Sequence, residues 1–257
     1  MPTSPSRQSH GRHPFFPASP LSVALGLATL TLATPALAAP LPETLEQLAP
    51  EASPKVLELA AQALACADPD AERLAVIDFS RSANEKRLWV FDLEAERLLF
   101  EELVSHGQGT GEEYARSFSN TPDSHQSSLG LFRTKNSYHG SNGYSLRLEG
   151  LEPGINDLAY ERAIVMHGAD YVSEDFIEAN GRLGRSWGCP AVPADVAKPL
   201  IDSLEDEQYL FAYYPDQEWL ESSNYLACQA AQAIREASDS DERAVAMQSD
   251  GGHEGDS

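Results

Sequence analysis

The chain has 257 residues, 42% of them hydrophobic and 23% charged, which is enough for one domain with a substantial core plus appendages. Its 40 acidic against 18 basic side chains leave a formal net charge of −22. Such a surface repels nucleic acid and anionic lipid, and no basic stripe offsets it, so partners of those kinds are not expected.

In chain order, residues 1–38 carry Arg7, His10 and Arg12, an apolar run from Leu21 to Ala33, and Ala36-Leu37-Ala38 as a small-x-small cleavage site. This reads as a Sec-type signal peptide, so the mature protein is expected in the periplasm or outside the cell. Thr29, Thr31, Thr34 and Pro35 interrupt a run already short for a bilayer span, and no membrane insertion is expected after cleavage. Residues 39–69 are read as an N-terminal arm and helix: a Pro-rich linker or irregular arm over 39–52, then a helix from Pro54 to Ala65. Ser53 is its N-cap, Pro54 its first-turn proline, and Val56, Leu57, Ala60, Ala63 and Leu64 share a face.

Residues 70–215 are the expected main domain. Strand signals fall at Leu74–Phe79, Leu88–Leu93 and Leu98–Val104, the last two joined by a hairpin at Glu94-Ala95-Glu96-Arg97. Residues 105–128 are rich in Gly, Ser, Asn and His but lack the Lys and the strand-to-helix context of a phosphate loop, and read as a surface loop. Further strands are expected at Leu129–Phe132, Ser145–Leu148, Arg162–Met166 and Tyr209–Tyr214, and a helix at Ala194–Leu204. About seven strands against three or four helices, without regular alternation, give a β-rich α+β class. A C-terminal helix over 216–235 and an acidic disordered tail over 236–257 complete the expected organisation.

The chemistry concentrates between His167 and Cys189. His167 closes the apolar run Ala163-Ile164-Val165-Met166, which places an imidazole at a strand's C-terminal end. Cys189 follows Gly184, Ser186 and Gly188 in a tight loop expected to lead into the helix at Ala194–Leu204, where a helix dipole and free N–H groups lower a thiol pKa. Arg182 and Arg185 add positive charge, and the Gly188 and Cys189 N–H groups suit an oxyanion. On spacing alone, a buried structural thiol and a structural imidazole remain the commoner reading.

The stretch Ser186-Trp187-Gly188-Cys189, preceded by His167-Gly168, resembles the His...Ser-x-Gly-Cys signature of the murein L,D-transpeptidase catalytic domain family. The likeness extends through Arg87-Leu88-Trp89-Val90, Ser127-Ser128-Leu129-Gly130 and Gly154-Ile155-Asn156-Asp157. It implies a β-sandwich-like core with helices at its margins. It also implies a Cys189 nucleophile, a His167 base, a Gly168 backbone group holding the other imidazole nitrogen, and Ser186 and Gly188 shaping the loop. The implied substrate is a peptidoglycan stem peptide, contacted by Arg185, Arg182, Trp187 and Tyr171, and no cofactor is implied. Trp187 stands where the best-known branch often has His, and Ala191 where it has Arg or Asn.

Two other outcomes stay open: water as acceptor, giving an L,D-carboxypeptidase or murein amidase, and a peptidoglycan-binding module with an inert thiol. A zinc site is not expected, since His106, His125, His139 and His167 share no ligand spacing. Assigning Cys189 to catalysis leaves Cys66 and Cys228, which an exported chain is expected to join in a disulfide.

Overall fold

In the computed structural model the described residues are 39–228, with 232, 233, 236 and 240 beyond them, all within the unit Ala39–Ser257. The expected signal peptide, the acidic tail and most of the last third of the expected C-terminal helix lie outside them.

Eight strands form one mixed sheet. They are β1 (Arg73–Asp78), β2 (Leu88–Asp92), β3 (Arg97–Glu102), β4 (Gly130–Gly140), β5 (Gly143–Gly150), β6 (Val165–Ala169), β7 (Ala191–Pro193) and β8 (Tyr209–Tyr213), in the order β3-β2-β1-β8-β4-β5-β6-β7. Only β1 with β8 and β6 with β7 run parallel; the other neighbours are antiparallel. The two edges nearly meet. The chain leaving β3 crosses to the far edge, where Ser105 N–H donates to Ala191 O at 2.8 Å and the Ser105 hydroxyl accepts from Ala191 N–H at 3.3 Å. A further bridge joins Gly107 to Ser186. This contact bends the sheet into a nearly closed sandwich and removes an exposed edge. The domain is α+β and β-rich.

β1, β2 and the neighbouring β8 are apolar on both faces because both are covered: Leu74, Ile77, Trp89, Phe91 and Phe211 are fully buried, each side chain contributing about 1.5–3 kcal/mol of burial. Helix α2 (Pro54–Ala67) packs on β1 and β8 through its Val56, Leu57, Ala60 and Leu64 stripe. Helix α4 (Ala194–Ser203) covers β5, β6 and β7.

Three expectations are corrected. The arm over 39–52 contains a helix, α1 (Leu41–Leu48): Pro42 occupies its first turn, and Leu45 is buried against α2. A short helix, α3 (Glu174–Asn180), capped by the Ser173 hydroxyl and closed by left-handed Gly181, lies where none was expected. The expected helix from Asp216 breaks at Ser223 into α5 (Gln217–Ser222) and α6 (Asn224–Ala227). Cys66 at the end of α2 is bonded to Cys228, just past α6, with Cα atoms 6.2 Å apart. No described helix is long and apolar enough to cross a membrane.

Candidate active site

β6 presents His167 between Ser145 of β5 and Ala191 of β7. Its Nδ1 lies 3.0 Å from Gly168 O. A carbonyl can only accept, so the proton sits on Nδ1 and Nε2 keeps its lone pair. Burial lowers the imidazole pKa, and the Gly168 carbonyl only partly opposes this, so the ring is neutral at neutral pH. Gly168 cannot be larger: a Cβ there would fall 2.7 Å from Ala197 Cβ and 3.2 Å from Ala194 Cα, so its lack of a side chain lets α4 lie on β6.

Cys189 stands two residues before the Ala191 that pairs with His167. Its buried sulfur accepts from Val165 N–H at 3.4 Å and lies 3.8 Å from Ala163 O. The expected helix, α4, does start at Ala194, but β7 intervenes between it and Cys189, so the cysteine does not sit on the first turn of a helix. Burial pushes the thiol pKa up, with the Val165 N–H and the Arg162 charge opposing.

The loop before the cysteine is tied by Ser186. Its hydroxyl donates to Cys189 O at 2.6 Å and accepts from Gly188 N–H at 3.1 Å, while its N–H donates to His106 O at 3.0 Å. One of the two expected oxyanion donors, Gly188 N–H, is therefore already engaged. Gly188 itself is left-handed (φ 118°), and a Cβ there would meet Gln126 O at 2.7 Å. Its carbonyl accepts from the Ser127 hydroxyl at 3.0 Å.

The expected substrate contacts divide. Trp187 is 70% exposed and stacks on His125, with centroids 4.8 Å apart and 7° between planes. The Tyr171 hydroxyl is pushed up to about 12 by burial and by the neighbouring Cys189, against a hydrogen bond with Ser105. Arg182 and Arg185 both pair with Glu112 at 2.9 Å, and Arg185 also donates to Gly111 O. The cation acting on Cys189 is Arg162, a residue that reading the sequence assigned to a strand. Ser105, Ser127 and His125 were missed too. The sequence signal available for Ser127 was its place in the Ser127-Ser128-Leu129-Gly130 likeness. Beyond β6 a cleft of about 470 Å³ opens, lined by Lys86, Glu102, Ala169, Asp170, Glu174 and Asp195 among others. Among the described residues no group of His, Cys, Asp and Glu is placed to hold a metal ion.

The family profile of the L,D-transpeptidase catalytic domain matches residues 48–213. Among solved structures, the chain is similar to an L,D-transpeptidase from Mycobacterium smegmatis, at 14% identity and a TM-score of 0.36 over 56% of this chain and 59% of that one. It is similar also to an L,D-transpeptidase from Stackebrandtia nassauensis, at 12% identity and a TM-score of 0.34 over 69% of this chain and 77% of that one. Comparison with curated proteins finds no match. With a catalytic-domain profile spanning more than half of its length, the chain belongs to the L,D-transpeptidase catalytic domain family.

Proposed function

We propose that the protein is an exported murein L,D-transpeptidase working in the periplasm on peptidoglycan stem peptides. The observation that carries this reading is His167 with its Nδ1 spent on Gly168 O, on the strand parallel to β7, which begins two residues after Cys189. His167 Nε2 takes the proton of the Cys189 thiol, and the thiolate attacks the carbonyl between the diamino acid and the terminal D-Ala. The Cys189 N–H, which meets no acceptor among the described residues, donates to the oxyanion in place of the engaged Gly188 N–H. Collapse breaks the C–N bond, His167 returns the proton to the departing D-Ala amine, and a thioester remains. An amine of a second stem then attacks the thioester, gives its proton to His167, and releases the thiolate. The acidic cleft beyond β6, with Asp170, Glu174 and Asp195 on its walls, suits the ammonium form in which that acceptor arrives, which gives one proton to solvent before the amine attacks. Trp187 and Tyr171 contact the donor stem, and Arg185 or Arg182 reaches its carboxylate when released from Glu112.

The test is intact-mass spectrometry of the purified protein with disaccharide tetrapeptide and, separately, with a carbapenem. Wild type is expected to gain a thioester adduct and yield 3-3 linked dimer. Cys189→Ala abolishes both, and His167→Ala slows acylation at neutral pH by at least about a hundredfold. Tripeptide without dimer points to water as acceptor. An adduct that persists in Cys189→Ala moves the nucleophile elsewhere.

A further inference from the structure

Arg162 is half-buried and forms no ion pair with any carboxylate among the described residues. Its guanidinium instead gathers four neutral acceptors from one loop: Ser119 O and the Ser128 hydroxyl at 2.7 Å through Nη1, Gln126 O at 2.6 Å and the Ser124 hydroxyl at 3.3 Å through Nη2. That loop needs holding, because Asp123 and His125 both adopt left-handed φ, 59° and 53°, conformations that persist only when tertiary contacts fix them. It is also the seat of the nucleophile. Gln126 O, the carbonyl that Arg162 grips, is the atom that Gly188 packs against; Ser127, between two gripped residues, holds Gly188 O through its hydroxyl. On Arg162's other side the chain reaches the sulfur directly, since the carbonyl of the adjacent Ala163 lies 3.8 Å from Cys189 Sγ.

We infer that Arg162 is a positioning residue for Cys189: its fork fixes the 119–128 loop that seats Gly188, and its charge, uncompensated by any carboxylate among the described residues and one residue from the Ala163 that touches the sulfur, favours the thiolate. The inference rests on Cys189 being the nucleophile. With β7 set between Cys189 and the start of α4, a second source of positive potential favours the thiolate, and the desolvated thiol makes the need for one larger. The electrostatics agree: Arg162 opposes the upward push on the Cys189 pKa, and Cys189 reciprocally raises Arg162 against its own burial. Arg182 and Arg185, whose charges Glu112 compensates, do not appear among the groups acting on the sulfur.

The rate of iodoacetamide alkylation of Cys189 across neutral to alkaline pH reads the thiolate without any substrate. Arg162→Gln is expected to move the midpoint up by about one unit, and so to slow alkylation near neutrality about tenfold. Arg162→Lys keeps the charge but loses the planar fork, so its midpoint should stay near wild type while acylation by disaccharide tetrapeptide slows. An unchanged midpoint in folded Arg162→Gln overturns the inference, because a purely structural tie lowers rates at every pH without moving the profile. Should Arg162→Gln fail to fold, Arg162→Lys decides alone: a rise of a full unit there removes the charge role. If wild type never forms a thioester adduct yet the midpoint moves as expected, the transpeptidase reading fails and the Arg162 to Cys189 link stands.

Discussion

Two arginines support the loop that carries Cys189, and they differ in what their charge reaches. Arg87 is fully buried. It donates to Val104 O twice, at 3.1 and 2.9 Å, to Arg81 O at 2.9 Å, and to His106 Nδ1 at 2.8 Å, with its guanidinium 5.2 Å from the Phe79 ring centroid. Arg162 likewise grips neutral acceptors, but it adjoins Ala163, whose carbonyl lies 3.8 Å from the sulfur. Both hold the loop through one intermediate: His106 O takes the Ser186 N–H, and Gln126 O meets Gly188. Arg87 does not figure among the groups acting on Cys189, whereas Arg162 does. Burial drives Arg87 down to about 9, so it stays charged at neutral pH and serves the fold; only the second cation is placed where a thiolate would use it.

The largest expected effect comes from breaking the first support. Arg87→Met strands two buried acceptors, Val104 O and His106 Nδ1, and the half-buried Arg81 O, and should cost about 3–5 kcal/mol in urea unfolding. In whatever fraction stays folded, the Cys189 alkylation midpoint is expected to match wild type. A midpoint shift as large as that of Arg162→Gln would erase the distinction between the two arginines.

His106 sharpens the same comparison through pH. Burial, and then the charge of Arg87, drive its pKa down to about 4, against the carbonyls of Gly111 and Glu112. Because Arg87 donates to Nδ1, a proton arriving on that nitrogen has nowhere to point. A base whose pKa is lower folded than unfolded takes its proton first in the unfolded chain. The stability His106 contributes is therefore fully present above about 6.5 and is lost as pH falls toward about 4, on the order of 3 kcal/mol in all. The buried His167 adds a loss of the same sign. In His106→Asn, whose Oδ1 can still accept from Arg87, the stability curve should be flatter over that window by this amount. A variant whose acid-side slope equals that of wild type would show that His106 titrates normally in the fold.

How far these features were legible follows from their range. The strands β1, β2 and β8 were readable because short buried apolar and aromatic runs carry their own pattern, and β3 because Leu98, Leu99 and Phe100 follow a hairpin-like turn. β4 extends to Gly140 although Lys135 and Asn136 are polar, because β5 pairs along it past an irregularity between Thr134 and Ser137. α1 was hidden by its own start signal: Pro40 and Pro42 suggested a linker, while the Leu41, Leu45 and Leu48 spacing was the better guide. α3 buries no residue and so has no apolar period to read. In the site, His167, Gly168, Ser186 and Cys189 sit in one contiguous stretch with recognisable wording. Arg162 sits just outside it, read as the first residue of a strand; in fact β6 begins at Val165, after Ala163 turns through φ 54°. Its role depends on acceptors 34 to 43 residues away in sequence, and no local pattern announces that. The helix after Cys189 was placed correctly at Ala194, but three residues of strand were not foreseen, and they keep the cysteine off its first turn.

The smallest expected effect is at the exposed rim. Trp187 touches the fold through a parallel stack on His125, whose own ring is braced by the Gln108 side chain at 2.9 Å. The indole's bulk lies in solvent, so its replacement should neither move the Cys189 midpoint nor unfold the domain. A flat ring at the same position can keep the stack. Trp187→His, which restores the residue common in the best-known branch of the family, is therefore expected to acylate within about threefold of wild type at neutral pH, the equivalent of the ~0.5 kcal/mol typical of surface changes. Trp187→Ala loses the stack, a pair worth about 0.5–1.5 kcal/mol beyond area, and should raise KM for disaccharide tetrapeptide more than it lowers kcat. If Trp187→His instead loses as much activity as Cys189→Ala while the alkylation profile is unchanged, the rim takes part in the chemistry itself, and the division between a supporting interior and an adaptable surface fails at this residue.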